Sequence, residues 1–155
     1  MSIKVVIKNG DVMLREKSKP VNEITQRTIK LLDNMAETMY DSDGVGLAAV
    51  QISILKRIVV IDIGEGLIEM INPEIIEKDG EQIGAEGCLS VPGIIGNVNR
   101  AERVKAKALN RQGEEFFIEG TGLLARAIQH EIDHLDGILF IDIAEDCFKQ
   151  DDLIL

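Results

Sequence analysis

Histidine and cysteine occur only twice each in this chain, and each scarcity narrows what the molecule can be. Two cysteines cannot build the disulfide framework of a small secreted domain, so a reducing, cytoplasmic compartment is expected. No run of about eighteen apolar residues is present, so no membrane-spanning helix is predicted, and no leading apolar segment resembles a signal peptide. Basic residues are outnumbered, 17 against 27 acidic ones, for a net charge of −10. That balance argues against a nucleic-acid groove and favours solubility. Internal repeats and low-complexity stretches are also missing. A chain of 155 residues has room for one real core, and a single catalytic domain over residues 1–155 is expected.

The two histidines stand together in His130-Glu131-Ile132-Asp133-His134. On a helix this spacing stacks both imidazoles on one face, with Glu131 one step round, which is the pattern of helical zinc hydrolases. At 100° per residue, Leu123, Ala127, His130 and His134 share one stripe, with Glu131 at its margin. Leu124, Ile128, Ile132 and Leu135 form a second apolar stripe, and Arg126, Gln129, Asp133 and Asp136 a narrow polar one. A helix apolar over most of its circumference is central and buried. Two histidines stacked on such a face read as metal ligands, since buried imidazoles need partners. Thr121 is placed to cap the helix, and Gly137 to end it.

A catalytic site needs a third ligand. The pattern in which a third histidine follows a glycine is closed here, because Phe140 takes that place after Gly137. Glu145 follows the helix too closely to return on a separate helix. Of the two soft donors, Cys147 lies in an acidic tail. Cys88 lies in Glu86-Gly87-Cys88-Leu89-Ser90-Val91-Pro92-Gly93, where flanking glycines permit close backbone approach, and it is preferred.

Three blocks then stand in order: Gly44-Val45-Gly46-Leu47-Ala48-Ala49-Val50-Gln51, Glu86-Gly87-Cys88-Leu89-Ser90, and His130-Glu131-Ile132-Asp133-His134-Leu135. Together they resemble the peptide deformylase family over nearly the whole chain. The resemblance implies one divalent metal on Cys88, His130 and His134, Fe2+ in the cell, with Zn2+ or Ni2+ found after purification. It implies Glu131 as general acid and base, and Gln51 with the backbone N–H of Leu89 as donors to the developing oxyanion. The implied reaction removes the formyl group from an N-formylmethionyl peptide. Arg100 matches a family arginine near the peptide; it is expected either on substrate main chain or paired with Glu86. Val45, Leu123 and Ala127 are candidates for a methionine pocket by position, and an extended peptide could add a strand beside Gly44 to Gly46. Relatives often carry a long, in some cases basic, C-terminal helix that docks on the ribosome. The stretch from Glu145 to Leu155 is short and acidic apart from Lys149, so ribosome binding is expected to be weak at most.

The coarse reading is α+β: antiparallel β-sheets packed around a central buried helix that carries the histidine motif. A first helix is predicted from Thr25 to Tyr40, ending at Asp41-Ser42-Asp43-Gly44. Strands are predicted at Arg57 to Ile63 and Leu67 to Asn72 about Gly64-Glu65-Gly66, and a hairpin of Ile75 to Glu77 with Gln82 to Ile83 about Asp79-Gly80. Val104 to Ala108 and Glu115 to Ile118 form another pair, and Ile138 to Ile143 a closing strand. Competing readings are a metallopeptidase cleaving internal bonds, which leaves Gln51 and the cysteine block unexplained, and a structural metal domain, which usually has four protein ligands.

Overall fold

The computed structural model describes residues 2–149. Helix α1 runs Gln26–Asp41 and helix α2 Gly122–Leu135, with a short α3 at Phe140–Ile143. The strands are β1 Gly46–Ala48, β2 Ile58–Ile61, β3 Ile68–Asp79, β4 Gln82–Cys88, β5 Val91–Arg100, β6 Arg103–Leu109, β7 Glu115–Thr121 and β8 Asp146–Lys149. A five-stranded sheet has the order β1-β2-β3-β6-β7 and a three-stranded sheet the order β4-β5-β8, every pairing antiparallel.

Both faces of the larger sheet are covered at β2, which explains the uninterrupted apolar run of that strand. Val59 and Ile61 point to the core shared with Ala125, Ala127, Ile128 and Ile132 of α2. Ile58 and Val60 point the other way, to the core shared with Leu32, Met35 and Met39 of α1. Those α1 residues recur three and four apart, so one stripe meets the sheet. Buried leucines and isoleucines each contribute roughly 1.5–3 kcal/mol. The helix predicted to be central is so: from Ala125 to Leu135 only Asp133 escapes burial. Its end is the glycine motif expected. Gly137 has φ +76°, the Gly137 and Ile138 amides donate to the carbonyls of His134 and Asp133, and a Cβ on Gly137 would lie 2.4 Å from the Arg15 carbonyl oxygen.

Two predicted elements differ. Ile75 to Glu77 and Gln82 to Ile83 do not pair. Strand β3 continues to Asp79 and pairs with β6, whereas β4 pairs with β5, so the chain crosses between sheets at Gly80. A turn signal marks where the chain bends and says nothing about which strand lies beside it. The closing strand predicted at Ile138 to Ile143 is instead a two-residue link at Ile138 and Leu139 followed by α3. Asp142 caps that helix by accepting from the Leu139 amide at 2.9 Å, and Phe140 is buried beside Leu139 in the core of the small sheet. The strand that completes this sheet is β8.

Candidate active site

Helix α2 brings His130 and His134 to one face with ring centroids 5.0 Å apart. Cys88 ends β4, where a register shift between Glu86 and Cys88 precedes the tight turn at Leu89 and Ser90. Bulges of this kind re-aim side chains next to active sites. Here the thiol faces α2, with Cys88 Sγ 3.3 Å from His134 Nε2. One donor atom from each of Cys88, His130 and His134 lies within 4.8 Å of the other two, and all three residues are buried. Sulfur and nitrogen ligands on one tetrahedral zinc stand about 3.6 Å apart. Among the described residues His130 Nε2 is buried without a hydrogen-bond partner, and so are both oxygens of Glu131. One thiol and two imidazoles converging beside orphaned polar atoms fit a metal ion.

Glu86, which the sequence reading named only as a partner for Arg100, organises the far side of His130. It is fully buried, and each of its oxygens takes two donors. Oε1 accepts from His130 Nδ1 at 2.8 Å and from Arg100 at 2.8 Å. Oε2 accepts from Arg100 Nε at 2.8 Å and from Arg126 at 2.6 Å. Burial alone would raise the Glu86 carboxyl, but the bonds from Arg100 and His130 hold it well below the usual range, so it stays ionised. A carboxylate on Nδ1 fixes the imidazole tautomer and leaves Nε2 free to ligate. Burial pushes His134 well down, keeping that ring neutral. Arg100 takes the second of its two expected places. It is bidentate on Glu86, its remaining arm lies 2.6 Å from Asp133, and it is 6% exposed.

Glu131 is placed differently from Glu86. Its carboxylate is fully buried with no donor, and burial raises its pKa to about 7, against a smaller opposing effect of His130. Gly46 makes room for it: a Cβ there would lie 2.3 Å from Glu131 Oε2. Gln51 lies in the turn Ala49–Ile52, where its Oε1 accepts from the Ala48 amide at 2.9 Å. That bond turns Nε2 toward the thiol, 3.5 Å from Cys88 Sγ and 3.1 Å from Ser90 Oγ. Ser90 was not singled out from the sequence, nor was the N-terminal segment. The latter braces this corner, with Ile7 N–H donating to the Gln51 carbonyl, Asn9 N–H to the Ser90 carbonyl and Lys8 Nζ to the Leu89 carbonyl. A serine one residue beyond Leu89 in the same block was the available signal. Leu89 is buried, and a Cβ on Gly44 would meet its side chain at 2.9 Å. Of the pocket candidates, Ala127 is buried one turn before His130, Val45 packs half-buried on the same core, and Leu123 is exposed at the start of α2.

The polypeptide deformylase family model matches residues 3–150. The chain belongs to that family. The peptide deformylase of Thermoanaerobacter pseudethanolicus is 60% identical over 144 residues, which are 93% of this chain and 91% of that protein. The crystal structure of the peptide deformylase of Thermotoga maritima superposes with a TM-score of 0.91 at 43% identity, covering 93% of this chain and 99% of that one. The Ehrlichia chaffeensis peptide deformylase in complex with actinonin gives 0.92 at 37% identity, covering 94% and 91%. Peptide deformylases are metal-dependent, in keeping with the Cys88, His130 and His134 cluster of this one. Among the described residues no helix is long and apolar enough to cross a membrane.

Proposed function

We propose that this deformylase removes the N-formyl group from N-formylmethionyl peptides, releasing formate and a free amino terminus. The observation that carries the reading is the converging trio of Cys88, His130 and His134 beside a buried, unpaired Glu131. Those three residues hold the divalent ion, Fe2+ in the cell, with Zn2+ or Ni2+ able to take its place in purified protein. When bound, the ion supplies a Lewis acid that acidifies water toward a pKa of about 7 and polarises a carbonyl oxygen.

The protein's own groups do the rest. Glu131, titrating near neutrality because it is buried, takes a proton from water at Oε and returns it to the departing amine. Gln51 Nε2, fixed by the anchor of its Oε1 on Ala48, and the Leu89 N–H donate to the oxygen on which charge develops. Strand β1 is the edge of its sheet, so a peptide can lie along Gly44, Val45 and Gly46 as an added strand. Val45, Leu123 and Ala127 remain our candidates for the methionine side chain.

Residues 1–155 are proposed as one catalytic domain, a reading supported by the family match over 3–150; residue 1 and residues 150–155 lie outside the described ones. Free thiols at Cys88 and Cys147 support a reducing cytoplasm. The part of the expected acidic tail that can be described is β8, where Asp146 pairs with Asn97 and Lys149 is the single cation, so ribosome affinity is proposed to be weak. The deciding assay compares formate release from formyl-Met-Ala-Ser with cleavage of the same unformylated peptide. Formate release alone supports deformylation, and internal cleavage without formate would replace it with a peptidase.

A further inference from the structure

Arg126 belongs to none of the three sequence blocks, yet its guanidinium is buried and engaged on every nitrogen. Besides Glu86, one arm donates to the carbonyls of Val98 at 3.0 Å and Gly84 at 3.4 Å. The other donates to the Gln82 carbonyl at 3.4 Å and Gln82 Oε1 at 3.1 Å, and Nε reaches the same Oε1 at 3.3 Å. All these acceptors lie on β4 and β5, while Arg126 itself sits on α2 one turn before His130. The side chain therefore ties the helix that carries both imidazoles to the strand that ends in Cys88. The backbone leaves room for it, since a Cβ on Gly84 would lie 3.0 Å from the guanidinium. Without Arg126, Glu86 Oε2 would keep only Arg100, and the carboxylate that orients His130 would be held from one side.

We propose that Arg126 is a positioning residue for the metal centre: it locks Glu86 onto His130 Nδ1 and sets the spacing between α2 and Cys88. The proposal rests on the assignment of Cys88, His130 and His134 as ligands. A planar guanidinium suits the task because it addresses the carboxylate, three carbonyls and an amide oxygen at once, which a single ammonium cannot.

The test measures Zn2+ affinity by chelator competition and the absorption spectrum of the Co2+ form, in the parent, Arg126→Met, Arg126→Lys, Gly84→Ala and Cys88→Ala. Loss of a partner behind a metal-ligating histidine weakens metal binding about 10–100-fold. Arg126→Met is expected to fall in that range with a shifted Co2+ spectrum, and Arg126→Lys to recover part of the loss. Zn2+ affinity within about twofold of the parent together with an unchanged Co2+ spectrum would overturn the proposal, leaving Arg126 a structural tie only. Should Arg126→Met fail to fold, Gly84→Ala decides. Crowding the guanidinium must weaken Zn2+ binding severalfold, and unchanged affinity refutes the idea. If Cys88→Ala binds Zn2+ as the parent does, the ligand assignment falls and the proposal with it. If Cys88→Ala loses the metal while Arg126→Met keeps it, only the role of Arg126 is refuted.

Discussion

Replacing Glu131 by glutamine should stabilise the metal-free protein at alkaline pH while abolishing most of its activity. The carboxylate is fully buried, neither oxygen has a donor, and its pKa is raised from 4.5 to about 7, chiefly by burial. A folded pKa above the unfolded one means that the folded state holds more protons between those values, so stability falls as pH rises from about 4.5 to 7 and is level beyond. The ionised group then costs the fold about 3 kcal/mol at pH 8, but under about 1 kcal/mol at pH 5. Glu131→Gln, with no charge to bury, escapes this cost. Urea unfolding of chelator-treated protein is the assay. With a slope of about 1.5 kcal/mol per molar, the variant's midpoint should exceed that of the parent by about 2 M at pH 8 and by less than about 0.7 M at pH 5. The same variant should lose about 10²–10⁴-fold in kcat as the metal-loaded enzyme. Equal differences at the two pH values would refute the reasoning, because the carboxylate would then not be paying for its burial.

Gln51→Leu removes the side-chain donor and should lower kcat by about 10²–10³-fold, about 2.7–4 kcal/mol, with the metal retained; metal analysis beside steady-state kinetics checks this. Gly46→Ala sets a methyl against Glu131 Oε2 and should reduce activity more than stability, the latter falling by about 1–3 kcal/mol in urea titration. Glu86→Ala strips the shared acceptor from two buried guanidiniums and from His130, so thermal unfolding should show a loss of about 3–5 kcal/mol. Zn2+ binding should release protons and weaken as pH falls, since His130, pushed down by burial but held up more strongly by Cys88 and Glu86, must give up its proton; indicator-dye titration would detect the release.

Much of this site could be read before any fold was known, because its chemistry is local in sequence. The spacing of His130 and His134 is a helix-face statement, and the framing of Cys88 by glycines is a statement about backbone approach. Gly46 and Gln51 sit five residues apart in one block. By contrast, the polar stripe of α2 suggested nothing special, yet Arg126 is buried against β4 and β5, and Gln129 is buried against Ala101 in the link from β5 to β6. A charge pattern along one helix cannot reveal which strand it will meet. The Gly80 crossover was missed for the same reason.

Taken alone, the order of residues determined which atoms can ligate, which helix is buried and where the chain must turn, since those follow from spacing, side-chain chemistry and backbone freedom over a few residues. Only the packed structure decided that Arg100 turns to Glu86 and Asp133, that Glu86 collects four donors, and that Glu131 is left without one. Those outcomes depend on groups 14 to 44 residues apart meeting in a space that excludes water, where an ion must find a partner or shift its pKa.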